Sequence, residues 1–246
     1  MKLLSIFATI AGLTFMAASA EAFPTYTPKP RGIPTIRVSG GTRSGGMGCI
    51  SDPQAPQLTS IFPEDDLGYT TDEYPAFQWY MPSNNASHVE FNLYEVINED
   101  EGIFQPVYQT AFAPGSTAGI ATLQLPQQVG LAPLNSDNYY YWSVEVYCPN
   151  EATAVMTAEG FVQVLEADAD LAAALANSEG VDRAAIAADN SVWFDATRAL
   201  TDHIQEQPSD LQAIASWQTL LKSVGLENIA EAPLLPQGAE LSPLQP

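Results

Sequence analysis

Across 246 residues the chain is 46% hydrophobic and 15% charged, and 8 Lys and Arg against 29 Asp and Glu give a formal net charge of -21. Phosphate backbones and anionic lipid surfaces repel such a chain, which excludes non-specific binding to nucleic acid or membranes. The hydrophobic content is that of a folded protein, and the 16 Gly and 19 Pro follow no collagen-like period.

The first segment, 1–22, reads as a secretory signal peptide. Lys2 supplies the positive start, Leu3 to Met16 the apolar run, and Ala18-Ser19-Ala20 or Ala20-Glu21-Ala22 the small-residue cleavage site. The apolar run is too short to remain as a membrane span. Export to a periplasmic or extracellular location is therefore expected, with no membrane-spanning segment.

Residues 23–57 are expected to form a basic, Gly- and Pro-rich arm. Lys29, Arg31, Arg37 and Arg43 fall within it among prolines and the run Gly40 to Gly48, with almost no apolar periodicity. From Ser44 to Asp182 there is then no Lys or Arg, while that span holds twenty carboxylates. The charge is thus an asymmetry between a cationic arm and an anionic body. Past the signal segment the only cysteines are Cys49 and Cys148. An oxidising compartment favours joining them, closing a loop of about a hundred residues for a stabilisation of roughly 4 to 5 kcal/mol; two free buried thiols are the alternative.

Over 58–166 the apolar period is near two. Val89, Phe91 and Leu93 alternate with Glu90 and Asn92, and Trp142, Val144, Val146 and Cys148 alternate with Tyr141, Ser143, Glu145 and Tyr147. Further strands are expected at Leu58 to Phe62, Tyr74 to Tyr80, Phe104 to Phe112, Gly119 to Leu125 and Glu159 to Leu165. About seven short strands without interleaved helices predict an antiparallel β-sandwich of immunoglobulin or fibronectin type. Pro106 demotes its strand to an edge or a bulge.

From 167 to 230 the period changes to 3.6. Asp168 and Asp170 precede a helix through Leu171 to Leu175, and a second covers about Val181 to Ala188. A third, from Ser191, places Trp193, Ala196, Leu200 and Ile204 on one stripe and stops at Pro208. Ser209 or Asp210 caps a fourth, with Leu211, Ile214, Ala215, Trp217, Gln218 and Leu221 inward and Gly225 as its end. The helix, Gln-Pro-Ser-Asp turn and helix are similar to a tetratricopeptide junction, and a small TPR-like helical cap is expected. Residues 231–246 are expected to be a disordered tail.

Several motifs in order carry a resemblance: Gly40-Gly41-Thr42-Arg43 leading to Cys49, Leu58 to Glu64, Leu67 to Thr71, Glu73-Tyr74-Pro75, the Tyr141-Trp142 strand ending at Cys148, Ser223 to Glu227, and Ala230 to Leu235. Together they resemble the DUF928 family from about Gly32 to Leu235. The resemblance implies an exported envelope protein of a kind found mainly in cyanobacteria, and no catalytic residue.

Candidate chemistry is sparse. A β-sandwich glycoside hydrolase would use paired carboxylates, for which Asp72 and Glu73 beside Tyr74, or Glu145, are the candidates. Glu64-Asp65-Asp66 and Asn98-Glu99-Asp100-Glu101 gather hard oxygen ligands of the kind Ca²⁺ takes, though neither has the helix-loop-helix spacing. His88, at a strand start, and His203, on a helix near Asp202, are expected at the surface. No Gly-x-Ser-x-Gly elbow or phosphate-binding loop is present, and no catalytic residue, metal ligand or cofactor is expected. Alternation leaves Tyr139, Tyr141 and Tyr147 facing outward on one sheet, where either the helical cap covers them, the reading preferred on sequence, or a partner does. The expectation is a non-catalytic envelope module for protein or glycan, with a secreted carbohydrate-active hydrolase and an acidic Ca²⁺-stabilised surface protein as alternatives.

Overall fold

A computed structural model describes residues 23–28, 49–52, 54–63, 67–98, 100–127, 130–136, 138–236 and 242–243. The signal segment, the four cations of the arm, Glu64 to Asp66, Glu99 and most of the last ten residues lie outside the described residues. Among those described, the strands are β1 (Thr59–Ser60), β2 (Gly68–Thr70), β3 (Ala76–Met81), β4 (His88–Asn98), β5 (Ile103–Ala113), β6 (Gly119–Gln124), β7 (Tyr139–Tyr147), β8 (Met156–Val164) and β9 (Ser242–Pro243). The helices, α1 (Ala169–Ala176), α2 (Gly180–Asp189), α3 (Trp193–Glu206) and α4 (Leu211–Lys222), all fall between β8 and β9.

The strands form two sheets. The large one runs β2-β8-β7-β4-β5-β9 and the small one β1-β3-β6. Between them lies the core, where Phe77 of β3 meets Phe91 at 5.1 Å and Trp142 at 5.4 Å, and Trp79 meets Phe112 at 6.1 Å. The arrangement is sandwich-like, but it is not wholly antiparallel: β2 runs parallel to β8 at the edge of the large sheet. Three residues between Pro63 and Asp72 give too short a run for alternation to reveal. Pro106 sits at a register shift in the β4–β5 ladder, as a residue without an N–H requires.

All six residues of β3 are buried, because the helices cover the side of the small sheet that faces away from the large one. Gln78 of β3 donates to the Thr201 hydroxyl of α3 at 2.8 Å, and the Trp193 indole donates to the Ile61 carbonyl at 2.9 Å. Asp168 caps α1 by accepting from the Leu171 N–H, and Asp210 caps α4 by accepting from Gln212 and Ala213. On α4 the buried stripe is Ala213, Ser216, Trp217, Leu220 and Leu221, whereas Leu211, expected inward, is 78% exposed. Its place in the first turn, one residue past the cap, swings it off the face that Trp217 and Leu221 define.

Close approach explains two glycines. A Cβ at Gly160 on β8 would stand 2.9 Å from the Trp142 indole nitrogen, and one at Gly68 on β2 would stand 2.5 Å from the Phe194 ring. Each lets an aromatic ring lie directly on a strand backbone.

Both chain ends bind the body more closely than expected. Within the expected arm, Tyr26 is buried, packs edge-on against Trp193 at 4.9 Å and hydrogen-bonds through its N–H to the Ser223 hydroxyl. Cys49 and Cys148 form a disulfide across a separation of 99 residues, both buried, so the chain is clamped where it enters the sheets. Residues 231–235, expected to start a disordered tail, instead pack beside β6: Ile120 donates to the Pro233 carbonyl and Leu235 donates to the Ile120 carbonyl, each at 2.8 Å. Ser242–Pro243 pairs with Phe112 and Ala113. Two leucines beside an unpaired strand edge supply both the apolar area and the partners that β6 lacks.

Candidate functional site

Alternation along β4, β7 and β8 puts a second set of side chains on the outer face of the large sheet, and the register aligns them in rows. Tyr94, Tyr141 and Phe161 stand side by side on three adjacent strands. Their rings are 6.2 Å and 5.5 Å apart, and Phe104 of β5 lies 5.7 Å from Tyr141. The next row is polar, with Asn92, Ser143 and Glu159 on the same strands and Gln109 opposite Asn92 on β5. Beyond it come Glu90 and Glu145, then His88 stacked on Tyr147 with centroids 4.4 Å apart.

The polar row pins the aromatic one. The Tyr141 hydroxyl donates to Glu159 at 2.5 Å, and Gln109 donates to the Tyr94 hydroxyl at 3.1 Å and to the Asn92 carbonyl at 3.0 Å. The Tyr147 hydroxyl donates to Glu145 at 2.9 Å, with Glu90 at 3.4 Å. Burial first, and the hydrogen bond to Glu145 next, push the Tyr147 phenol well above its ordinary value, so it stays a neutral donor. A tyrosine tied to a side chain one row along leans over the sheet and does not stand off it. Tyr139 belongs with Leu67, Tyr69, Phe161, Val96 and Leu165 in a small apolar cluster on this face. At the neighbouring hairpin Ile97, Ile103 and Phe104 are exposed.

The helical cap does not cover the tyrosines, contrary to the reading preferred on sequence. Its contacts with the sheets run through β2 and β3, on the other side of the molecule, where the stripe of α3 is buried. Asp195 is the main fastener there. Its carboxylate accepts from the Thr70 hydroxyl at 2.8 Å, the Thr71 N–H at 3.0 Å and the Thr71 hydroxyl. Burial pushes the Asp195 carboxyl up, the three donors oppose the rise, and the charge of Asp72 adds to it.

Beside this fastener a cleft of about 590 Å³ opens between α2, α3 and the turn after β2. Asp72 lines it and is paired with Arg198 at 2.7 Å, while Glu145 lies on the outer face of the large sheet; the two are not brought together. Glu73 offers its backbone carbonyl to Leu134, and the Tyr74 hydroxyl donates to the Leu131 carbonyl. His203 is not the surface residue expected. It is largely buried and bonds Asp210 at 2.8 Å, joining the end of α3 to the cap of α4 and holding the Asp210 carboxyl below its ordinary range. Asn98 accepts from the Glu101 N–H and closes a turn. Among the described residues no three His, Cys, Asp or Glu side chains are placed to share a metal ion, and no helix is long and apolar enough to cross a membrane.

Sequence reasoning missed Asp195, its threonine partners, and Arg183 and Arg198 of the cleft. The available signal was rarity: in so acidic a chain the two arginines after Ser44 fall one helix apart.

Together these features define a two-sheet β protein with a helical layer bolted to its small sheet and, on the outer face of its large one, half-buried Tyr94 and Tyr141 beside a buried Phe161. A family model described as Domain of Unknown Function (DUF928) matches residues 38–234. The chain belongs to the DUF928 family. No curated protein matches it.

Proposed function

We propose that this protein is a non-catalytic binding module that holds a neutral glycan chain on the outer face of its large sheet. The observation that carries the reading is the half-buried pair Tyr94 and Tyr141, pinned by hydrogen bonds to Gln109 and Glu159, with the exposed Phe104 ring beside them and the buried Phe161 packed against Tyr141 as support. Pinned aromatic rings present apolar area at little cost in side-chain entropy, and sugar rings offer them flat C–H faces. Gln109, exposed on β5, and the half-buried carboxylates of Glu90 and Glu145 on the same face are acceptors for sugar hydroxyls, and together with Glu159 they repel anionic polymers.

The non-catalytic reading is supported by the state of the candidate acids: the oxygens of Asp195 are engaged by threonines and Asp72 is paired with Arg198. Export is supported by the segment 1–22 and by the disulfide, which suits an oxidising compartment. We read the sheets as a fibronectin-like sandwich and α3 with α4 as a TPR-like pair, two architectures that serve as binding scaffolds. Native gel electrophoresis through immobilised neutral polysaccharides tests the proposal. Retardation by at least one polymer, lost in Tyr141→Ala with unchanged circular dichroism, is the expected result. Free migration through a panel of β- and α-linked glucans, mannans and peptidoglycan-derived strands would remove its basis.

A further inference from the structure

The cleft beside Asp195 is separate from the aromatic row and does not depend on the glycan reading. In a chain of net charge -21, acidic linings are the background and arginines are the signal. Only three Lys or Arg side chains lie among the described residues, Arg183, Arg198 and Lys222; two of them line this cleft, with His203, already bonded to Asp210, beside them.

The two arginines differ in state. Arg198 is spent on its own walls, with one nitrogen 2.7 Å from Asp72 and another 3.3 Å from Asp202. Arg183, half-buried on α2, donates to the Leu175 carbonyl at 3.0 Å and forms no ion pair with a described residue. A guanidinium carries five N–H donors in a rigid fork matched to a carboxylate, so Arg183 keeps capacity for an anionic group. Acids still outnumber bases around it: Glu179, Asp202 and Glu206 join Asp72 and Asp195 on the lining. A simple anion entering the cleft would be repelled by that surplus, and a simple cation would leave Arg183 unused.

We propose that this cleft receives a zwitterion, a small molecule carrying both a carboxylate and an ammonium group, such as a free amino acid or a short peptide. Arg183 takes the carboxylate, and the acids of α3, Glu206 first among them, take the ammonium group. The pole on α3 is presented by a rigid element, since Asp195 ties α3 to β2 and Arg198 ties it to the turn beyond, and α2, which carries Arg183, packs along α3. A volume of about 590 Å³ suits a ligand of one to a few residues.

Calorimetric titration of the full chain tests this with glycine, L-alanine and alanyl-alanine, against N-acetylglycine for the carboxylate alone and ethylamine for the ammonium group alone. At least one zwitterion should bind about tenfold or more tightly than either control. Arg183→Gln, which keeps a donor for the Leu175 carbonyl, and Glu206→Gln at an exposed position should each weaken that binding about tenfold with unchanged circular dichroism. Absence of heat with all three zwitterions overturns the proposal, as does ethylamine or N-acetylglycine binding equally well, or full affinity in both variants. Polysaccharide retardation would be unmoved by any of these results, so the two readings stand or fall apart.

Discussion

Replacing Asp195 tests the joint between the helices and the sheets. In Asp195→Ala, the Thr70 hydroxyl, the Thr71 N–H and the Thr71 hydroxyl lose their common acceptor in a site where the carboxylate is 6% exposed. A buried donor left without a partner costs about 1–3 kcal/mol, and breaking a buried charged network by removing one member costs about 3–5 kcal/mol. The Thr hydroxyls can turn toward other acceptors, so the lower part of the summed range applies, about 3–4 kcal/mol. For a domain of this size that lowers the melting temperature by roughly 10 °C. Asp195→Asn keeps the shape and one acceptor oxygen and should lose about 1 kcal/mol.

The two variants also differ in pH dependence. Burial raises the folded-state pKa of Asp195 above its unfolded value near 3.9, so ionisation works against the fold. The stabilisation from this group is complete below the unfolded pKa and is lost as pH rises through the folded one. Asp195→Asn has no such group, so its deficit against the native chain should be largest near pH 4 and narrow toward pH 7. Thermal melts give the first quantity and urea unfolding as a function of pH the second, each followed by the fluorescence of the four tryptophans. A melting temperature for Asp195→Ala within about 2 °C of the native chain, or a deficit for Asp195→Asn that widens with pH, would refute the reasoning.

Reducing the Cys49–Cys148 bond, or replacing both cysteines by serine, should lower the unfolding free energy by about 4–5 kcal/mol on the chain-entropy estimate for a loop of 99 residues, read by urea denaturation with and without dithiothreitol. Gly160→Ala should cost about 1–3 kcal/mol, because its Cβ meets the Trp142 indole and the strand cannot shift without disturbing its neighbour; near-ultraviolet dichroism should change with it. His203 and two backbone N–H groups hold the Asp210 carboxyl low, so the stability it lends α4 is present above the unfolded carboxylate pKa and is lost as pH falls through the folded value. Helical ellipticity measured downward from pH 5 should fall earlier in His203→Ala than in the native chain.

Where burial is one-sided, the sequence was legible. The alternation through Val89 to Leu93 and Trp142 to Cys148 located β4 and β7, and the pair of cysteines anticipated the disulfide just past the end of β7. The acidic start of α1, the cap of α4 narrowed to Ser209 or Asp210, and the stop at Pro208 were also visible, since each rests on side chains beside the backbone they serve. The strand expected over Tyr74 to Tyr80 is β3, but its burial on both faces leaves no alternation to show that helices cover one of them, and β2 was too short to have a pattern. The docking of residues 231–235 depends on an unpaired edge more than a hundred residues earlier, which no local window contains. Asp195 was read as one more acid in an acidic chain because its meaning lies in Thr70 and Thr71, at a sequence distance of about 125 residues.

Strand β2 makes the two candidate sites less independent than their positions suggest. Its Tyr69 packs with Phe161 in the cluster that adjoins the aromatic row, while the next residue, Thr70, donates to Asp195 beside the cleft. As a three-residue edge strand joined to β8, it has few ladder bonds of its own, so the Asp195 fastener and the Tyr69 packing must hold it from opposite sides. Loosening one side should then be felt on the other. Asp195→Asn, chosen because it keeps the fold, should weaken polysaccharide retardation as well as zwitterion binding, although it touches neither the tyrosines nor Arg183. A double-mutant cycle of Asp195→Asn with Tyr141→Phe should accordingly give a coupling above the roughly 0.3–0.5 kcal/mol expected for independent sites. Strict additivity would mean that β8 alone fixes β2, and that the outer face and the helical layer are energetically separate.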